Sequence, residues 1–303
     1  MIKKLILLSG PTATGKSSLA VKIAKEIDGQ IINADSIQLY KDLSILTARP
    51  NINNETIEHH CYGFLNGNEA WSVGKWINKI NLVIKDIIKK NKFPIIVGGT
   101  GLYFKAITDG LSPIPEIDES IRREIEERFF NNDLETLFEK LKLVDPVASK
   151  KINPNDKQRV IRALEVFEGT NKKISDYWLM ERKKIITEQS VNFKIEADRN
   201  WIYNNCDSRI DRMFNEGVVD EVKFLLDKNY SLNSPIMKAI GVEEISMFLN
   251  NYLSIEKVKE LIKFKTHQYA KRQITWINNQ MITWNSINTQ YSNKIINKII
   301  KKL

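Results

Sequence analysis

The sequence predicts an α/β fold, a parallel-sheet core interrupted by a helical insertion. Three observations predict it. First, Gly10, Pro11, Thr12, Ala13, Thr14, Gly15, Lys16 and Ser17 form a complete G-x-x-x-x-G-K-[ST] phosphate-binding loop. Second, short apolar runs recur at 5–8, 31–34, 94–97 and 191–195, separated by helical patterns, as in parallel sheets. Third, no such run occurs between Pro113-Ile114-Pro115 and about residue 188, where charged amphipathic helices take over. The expected organisation is therefore a P-loop NTPase-like core from residues 1–112 and 189–303, with a helical insertion over 113–188.

Each element follows from local pattern. Leu5-Ile6-Leu7-Leu8 feeds the loop, and the amphipathic stretch Leu19-Ala20-Val21-Lys22-Ile23-Ala24 leaves it. Strand, glycine-rich turn and helix aim backbone N–H groups and a helix N-terminus at an anion. Lys16 adds a point charge on the phosphates, and the Ser17 hydroxyl suits Mg²⁺. The second run ends at Asp35-Ser36, and the third at Gly98-Gly99-Thr100-Gly101. Ligands gather at strand carboxyl ends in such sheets, so Asp35, Ser36 and Thr100 belong beside the loop. In the insertion, Ile121, Ile125 and Phe129 fall at i, i+4 and i+8, and Val160, Ile161, Leu164 and Phe167 form another stripe. The chain then returns to the sheet and ends in long helices, the last twenty residues reading as a polar helix or frayed tail.

Composition narrows the function. The chain has 303 residues and 42% hydrophobic content, enough for one large or two modest domains. No apolar run approaches the ~20 residues of a membrane span. Met1-Ile2-Lys3-Lys4 leads into the first strand without signal-peptide character. Two cysteines, Cys61 and Cys206, give no disulfide framework or zinc site. The expected setting is cytoplasmic. A net charge of +9 favours a polyanionic partner, although a Lys- and Asn-rich composition accounts for part of it. His59-His60 reads as structural, and Trp71, Trp76, Trp276 and Trp284 as core.

The loop alone does not choose a reaction. A phosphate-loop hydrolase carries an acid at a strand end to hold Mg²⁺ and order water. Here the third strand ends in glycines and Thr100, without a carboxylate. The nearest strand-end acid is Asp35, whose position fits a metal ligand, a general base or a helix N-cap.

The ordered set of motifs resembles tRNA dimethylallyltransferases. The phosphate loop is followed by Asn33-Ala34-Asp35-Ser36-Ile37-Gln38-Leu39-Tyr40, Leu46-Thr47-Ala48-Arg49-Pro50 and Val97-Gly98-Gly99-Thr100-Gly101-Leu102-Tyr103. Then come Asn155–Val166, Ile240-Gly241-Val242-Glu243-Glu244 and Lys271-Arg272-Gln273-Ile274-Thr275-Trp276. The resemblance runs from residue 5 to about 285. It implies transfer of a dimethylallyl group from dimethylallyl diphosphate to N6 of adenosine 37, in tRNAs that read codons beginning with U.

That reaction removes the need for a hydrolase acid, since no water is activated. The resemblance implies diphosphate binding by residues 10–17 with Arg209, which by itself reads as a surface-helix arginine. It implies Mg²⁺ on Ser17, and catalytic roles for Lys16, Asp35 and Thr100. It also implies tRNA contacts from Asp35, Ser36, Ile37, Gln38, Thr100, Arg122, Gln158, Arg159, Val160, Ile161 and Arg162, although the last five sit on a helix whose polar face reads equally as solvated. The family is typically monomeric. Two departures stand out. Leu46 replaces a glycine, leaving the local turn open, and Gly241-Val242-Glu243-Glu244 lacks the family's ring and cation. Two other classes remain as alternatives: a transferase acting on free AMP or ADP, and a phosphate-loop kinase of a small metabolite.

Overall fold

The computed structural model describes residues 4–51, 56–131, 134–288 and 292–302. The chain divides into two compact units, Met1–Thr108 with Ile185–Leu303, and Asp109–Lys184.

The larger unit is built on strand β1 (Leu5–Ser9), whose residues are buried on both faces. Such continuous apolar runs mark central parallel strands. The chain continues through α1 (Lys16–Ile27), β2 (Gly29–Asn33), β3 (His59–His60), α2 (Val73–Lys89), β4 (Phe93–Gly98) and α3 (Gly101–Thr108). All strands pair in parallel, and β1 pairs with β4 in the register Ser9↔Gly98 while β2 pairs with β4 in the register Asn33↔Val97. The carboxyl ends of β2, β4 and β1 therefore lie side by side, which is where the phosphate loop begins.

One face of the sheet is filled by Leu19, Ala20, Ile23 and Ala24 of α1 packed on Ile6, Leu8, Ile31, Ile95 and Val97. Helix α2 starts at Ser72, whose hydroxyl accepts the amide of Lys75. It buries Trp76, Ile77, Ile80, Ile84 and Ile87, one stripe at helical period. Trp76 stacks on Tyr103 of α3 with ring centroids 4.0 Å apart, and its indole N–H donates to the Asn33 carbonyl at 3.2 Å. It ties α2 and α3 to the end of β2.

The smaller unit holds α4 (Glu119–Asn131), α5 (Leu134–Val144), α6 (Pro146–Lys151), α7 (Lys157–Thr170) and α8 (Ile174–Leu179). Its stem is closed by an antiparallel bridge between Leu111 and Lys183, just outside the Pro113 boundary marked by the sequence. Ile125, Leu137, Phe138, Leu141, Val160, Ile161 and Leu164 form its core. Ile121 packs partly against that core, and the Phe129 side chain lies outside the described residues. Asp145 is fully buried, and its carboxylate accepts from the Ala148 amide at 2.9 Å and from the Ser175 hydroxyl and amide at 2.8 and 3.0 Å. One side chain thus caps α6 and anchors α8.

The chain rejoins the sheet as β5 (Ser190–Ile195), then forms α9 (Arg199–Asn215), α10 (Val218–Asp227), a 3₁₀ turn (Pro235–Lys238), α11 (Val242–Leu249) and the long α12 (Ile255–Gln280). Two short strands depart from the sequence reading. His59-His60 is the edge strand β3, with His60 Nε2 2.9 Å from Gln30 Oε1. Asn285–Ile287 is β6, which completes the order β3-β2-β4-β1-β5-β6. The C-terminal α13 (Ser292–Ile300) is no frayed tail, because Ile295 and Ile299 are buried in the core on which α1 packs. Burial of two isoleucines contributes roughly 3–6 kcal/mol before ordering costs.

Candidate active site

The phosphate loop needs left-handed backbone, which Gly15 supplies at φ 76° and Ala13 at φ 60°. Thr14 is buried and its hydroxyl donates to the Pro11 carbonyl at 2.8 Å, drawing the loop closed. Lys16 turns its ammonium back to the same carbonyl at 3.1 Å. Burial holds the Lys16 pKa down to about 8, the negative charge of Asp35 opposing the shift and Arg209 adding to it. A cation so poorly solvated gains strongly from a bound anion.

Three side chains from distant elements hold the loop. Gln273 of α12 is buried; its carbonyl oxygen accepts the Thr12 amide at 2.8 Å and its amide nitrogen donates to the Gly99 carbonyl at 3.0 Å. Arg209 of α9 donates to the Thr12 hydroxyl at 2.7 Å. Asn205, one turn earlier on the same helix, donates to the Ala13 carbonyl at 3.3 Å. Burial lowers the Arg209 pKa, and its Nε has no protein partner among the described residues. This is a desolvated guanidinium with a donor to spare. A cavity of ≈ 490 Å³ opens against the loop, lined by Thr14, Gly15, Asn205, Arg209, Arg212 and the Trp201 ring. Lys16, Ser17, Asp35 and Thr100 are not among its lining residues.

Asp35 follows β2 directly. The Asn33 side chain accepts the Asp35 amide at 2.8 Å and donates to the Asp35 and Cys61 carbonyls at 2.9 and 3.0 Å. Asp35 Oδ1 accepts the Ile37 amide at 3.1 Å, which leaves Oδ2 without a protein partner among the described residues. The Asp35 charge raises the pKa of Lys16, and it also raises those of Tyr62, Tyr103 and Tyr269, after burial. Thr100 stands opposite: its amide donates to the Ala34 carbonyl at 3.1 Å and its hydroxyl accepts the Ser36 amide at 3.0 Å. Between them, Gly98 leaves no room for a side chain, since a Cβ there would stand 2.1 Å from the Ala34 carbonyl oxygen. The strand-end acid of a hydrolase has no place at that position. Gln38 donates to the Thr47 and Ala48 carbonyls at 2.9 and 3.3 Å.

Within the larger unit, Arg209 meets the phosphate loop at Thr12, Lys16 and Asp35 interact electrostatically, Thr100 meets Ser36, Ile37 meets Asp35, and Gln38 meets the 47–48 turn. Gln273 and Asn205 complete the arrangement and were missed; Gln273 stood inside the Lys271–Trp276 motif without a role. In the smaller unit Gln158 and Arg159 are exposed on α7, and Arg159 lies 3.4 Å from Asp156. Arg162 pairs at 2.8 Å with the buried Glu165, and the exposed Arg122 pairs at 3.1 Å with Glu126. Val160 and Ile161, expected among the tRNA contacts, offer no side-chain surface for one. They are 0% and 2% exposed, turned into the unit's core by the same helical period that turns Arg159 outward.

A family model described as IPP transferase matches residues 38–280, and one described as isopentenyl transferase matches residues 3–62. The chain belongs to the IPP transferase family. A tRNA dimethylallyltransferase of Pelagibacter ubique is 42% identical over 283 residues, 93% of this chain and 90% of that relative. One from Allorhizobium ampelinum is 42% identical over 285 residues, 93% and 94% of the two chains. Among solved structures, a eukaryotic dimethylallyltransferase acting on tRNA superposes with TM-score 0.83 at 27% identity, covering 99% of this chain and 80% of that one. The tRNA delta(2)-isopentenylpyrophosphate transferase of Staphylococcus epidermidis gives 0.69 at 30% identity, covering 99% and 98%. The two family matches together span the phosphate loop, the Asp35 turn and Gln273, so the loop belongs to a prenyl-transfer fold.

Proposed function

We propose that this protein transfers the dimethylallyl group of dimethylallyl diphosphate to tRNA, at N6 of adenosine 37, in the cytoplasm. The reading rests above all on one arrangement: Asp35 lies at the strand end within the electrostatic reach of both Lys16 and Arg209, and Arg209 donates to Thr12 of the phosphate loop at 2.7 Å. A base for one substrate and cations for the other's leaving group serve a single transfer.

The bond from C1 of the allyl group to the diphosphate oxygen breaks as the N6–C1 bond forms. The proton leaving N6 passes to the Asp35 carboxylate, and pyrophosphate departs with the electron pair. Lys16, Arg209 and the loop amides stabilise that leaving charge without reorganisation, because they are already desolvated and fixed. Asp35 has one oxygen held by the Ile37 amide and the other available to the amine. Thr100 holds the Ser36 backbone in place beside it. Desolvation of Lys16 also disfavours its charge until the diphosphate arrives, so the cation and its anion are matched to each other.

A divalent cation, Mg²⁺ in this reading, fits the donor set. Among the described residues no group of three or more His, Cys, Asp or Glu could hold a metal. Its ligands would be the Ser17 hydroxyl, diphosphate oxygens and water, the oxygen set that Mg²⁺ favours. When bound, it supplies further neutralisation of pyrophosphate charge. In the smaller unit, Arg122, Gln158, Arg159 and Arg162 form the polar helix faces assigned to the RNA.

Labelled dimethylallyl diphosphate, incubated with the enzyme and either bulk tRNA, AMP or ADP, tests the reading. Label entering tRNA alone is expected. Label in the free nucleotides would replace it with transfer to AMP or ADP, and phosphate transfer in a parallel incubation with ATP and small acceptors would replace it with the kinase alternative.

A further inference from the structure

The turn that carries Leu46 in place of glycine is held from outside. Glu221, in the first turns of α10, points its carboxylate at three consecutive backbone amides. Oε1 accepts from Ser44 N at 2.6 Å, Ser44 Oγ at 2.8 Å and Ile45 N at 2.8 Å, and Oε2 accepts from Leu46 N at 2.8 Å. Charge-assisted bonds of this kind are about twice as strong as neutral ones. The turn is closed internally as well, by the Thr47 hydroxyl on the Leu43 carbonyl at 2.7 Å and the Arg49 amide on the Ser44 carbonyl at 2.9 Å. Its entry is clipped to the end of α10, where Lys228 pairs with Asp42 and the Tyr230 hydroxyl donates to Asp42 at 3.2 Å. Leu46 itself has no positive φ. Its side chain lies over Gly241, where a Cβ would stand 2.6 Å from it.

The far side of this turn presents the Thr47 and Ala48 carbonyls to Gln38 Nε2. Carbonyls only accept, so the pair fixes which way the Gln38 amide faces. Its nitrogen is spent on the turn, and Oε1 is left as an acceptor with no protein partner among the described residues. Gln38 lies three residues after Asp35. A hydrogen-bonded chain therefore runs from Glu221 through the backbone of 44–48 to an acceptor three residues along the chain from the proposed base.

We infer that Glu221 is a positioning residue for the target nucleotide: through the 44–48 turn it fixes the Gln38 amide as an acceptor toward the RNA. The inference rests on the proposed function for its assumption that Gln38 meets tRNA. Glu221→Gln keeps the size but presents an NH₂ donor to at least one of the converging N–H groups, which rotates or frees the turn. The phosphate loop is held separately, by Gln273, Arg209 and Asn205, so donor binding does not depend on Glu221.

The experiment is a double-mutant cycle of Glu221→Gln with Gln38→Ala, measured as steady-state kinetics in each substrate and as melting temperature. Glu221→Gln is expected to lower kcat/KM for tRNA about tenfold, with KM for dimethylallyl diphosphate unchanged within about twofold. The double variant is expected to be hardly worse than Gln38→Ala alone. Additive losses, or an equal rise in both KM values, would overturn the positioning role. Should Glu221→Gln fail to fold, Ser44→Ala removes one bond of the four without touching the backbone. It then decides: a KM for tRNA raised about two- to threefold at normal melting supports the inference, and unaltered tRNA kinetics overturns it. Gln38→Ala with wild-type tRNA kinetics would instead remove the assignment of Gln38 on which the inference stands.

Discussion

Gln273 accepts the amide of Thr12 at 2.8 Å across 261 positions of sequence. The same side chain donates to Gly99, so one buried amide joins the phosphate loop to the turn that ends β4. Gln273→Ala would leave a buried N–H and a buried carbonyl unpaired, each costing about 1–3 kcal/mol. The melting temperature is expected to fall by roughly 5–10 °C, and KM for dimethylallyl diphosphate to rise. Added pyrophosphate should recover part of the lost melting temperature by binding the native loop. A variant that melts early yet keeps its donor KM would make the latch a purely structural contact.

Lys16 links binding to pH. Its pKa of about 8 lies below the ordinary 10.5 because the ammonium is buried. A bound diphosphate restores the charged form, so binding takes up a proton between those two pH values. Donor affinity is expected to fall as pH rises through that window, by up to about tenfold per unit. Titration calorimetry at pH 9, in buffers of different ionisation heat, should register the uptake; at pH 7 it should register none. The sign for folding is opposite. The unfolded chain keeps this proton up to 10.5 and the folded chain only to about 8, so this group's penalty on stability shrinks as pH rises between them. Lys16→Ala should abolish the uptake and slow transfer on the order of 10²–10³, with tRNA affinity intact.

The legible parts of the site were those encoded by consecutive residues. A phosphate loop must place amides, a lysine and a helix start within eight positions, so the strand, turn and helix are written locally. The Asp35 and Thr100 turns followed from the rule that parallel strands gather ligands at their carboxyl ends. What holds these pieces together is long-range. Nothing local to Gln273, Asn205 or Glu221 states which backbone amide or carbonyl each will meet. Val160 and Ile161 were swept into the RNA-binding stretch with their neighbours, although helical period alone turns them inward. Strands β3 and β6 escaped because two histidines and Asn285-Ser286-Ile287 are too short to show a pattern. The Ile295 and Ile299 pair, four apart, was a legible sign that the tail packs.

The two arginines of α7 should separate on mutation. Arg159 is 66% exposed, and its 3.4 Å contact with Asp156 is a weak surface pair. Arg159→Ala is expected to leave melting unchanged, weaken tRNA binding and reduce the slope of log affinity against log salt by about one. Arg162 also neutralises the buried Glu165. Because Arg162 is itself 41% exposed, the cost of removing it is well below that of a fully buried pair, about 1–2 kcal/mol. Arg162→Ala should therefore melt early, and Arg162→Ala with Glu165→Gln should recover stability without recovering RNA affinity. Salt titrations of all three proteins, alongside melting curves, check this. An unaltered salt slope for Arg159→Ala would remove that residue from the RNA contact.

Asp35→Asn isolates the proposed base. The Asn33 side chain fixes the Asp35 backbone, and the Ile37 amide binds only Oδ1. An asparagine carbonyl can accept that same amide, so the turn should survive and the protein should melt normally. What is lost is the charge and, with it, the proposed acceptor of the N6 proton. The adenine amine is conjugated with its ring and a poor nucleophile, and its proton has to leave as the bond to C1 forms. A positioned general base contributes about 10²–10⁴ in rate, and single-turnover transfer is expected to fall by that much with both substrates binding within a few-fold. Loss of the Asp35 charge also removes the larger of the two influences that oppose the depression of Lys16, the other being Cys206, so the Lys16 pKa should drop further and the onset of proton uptake should move below pH 8. The two readouts separate the roles. Slow transfer with tight donor binding identifies the base, whereas weak donor binding with chemistry spared at saturation would move Asp35 to the diphosphate side of the site.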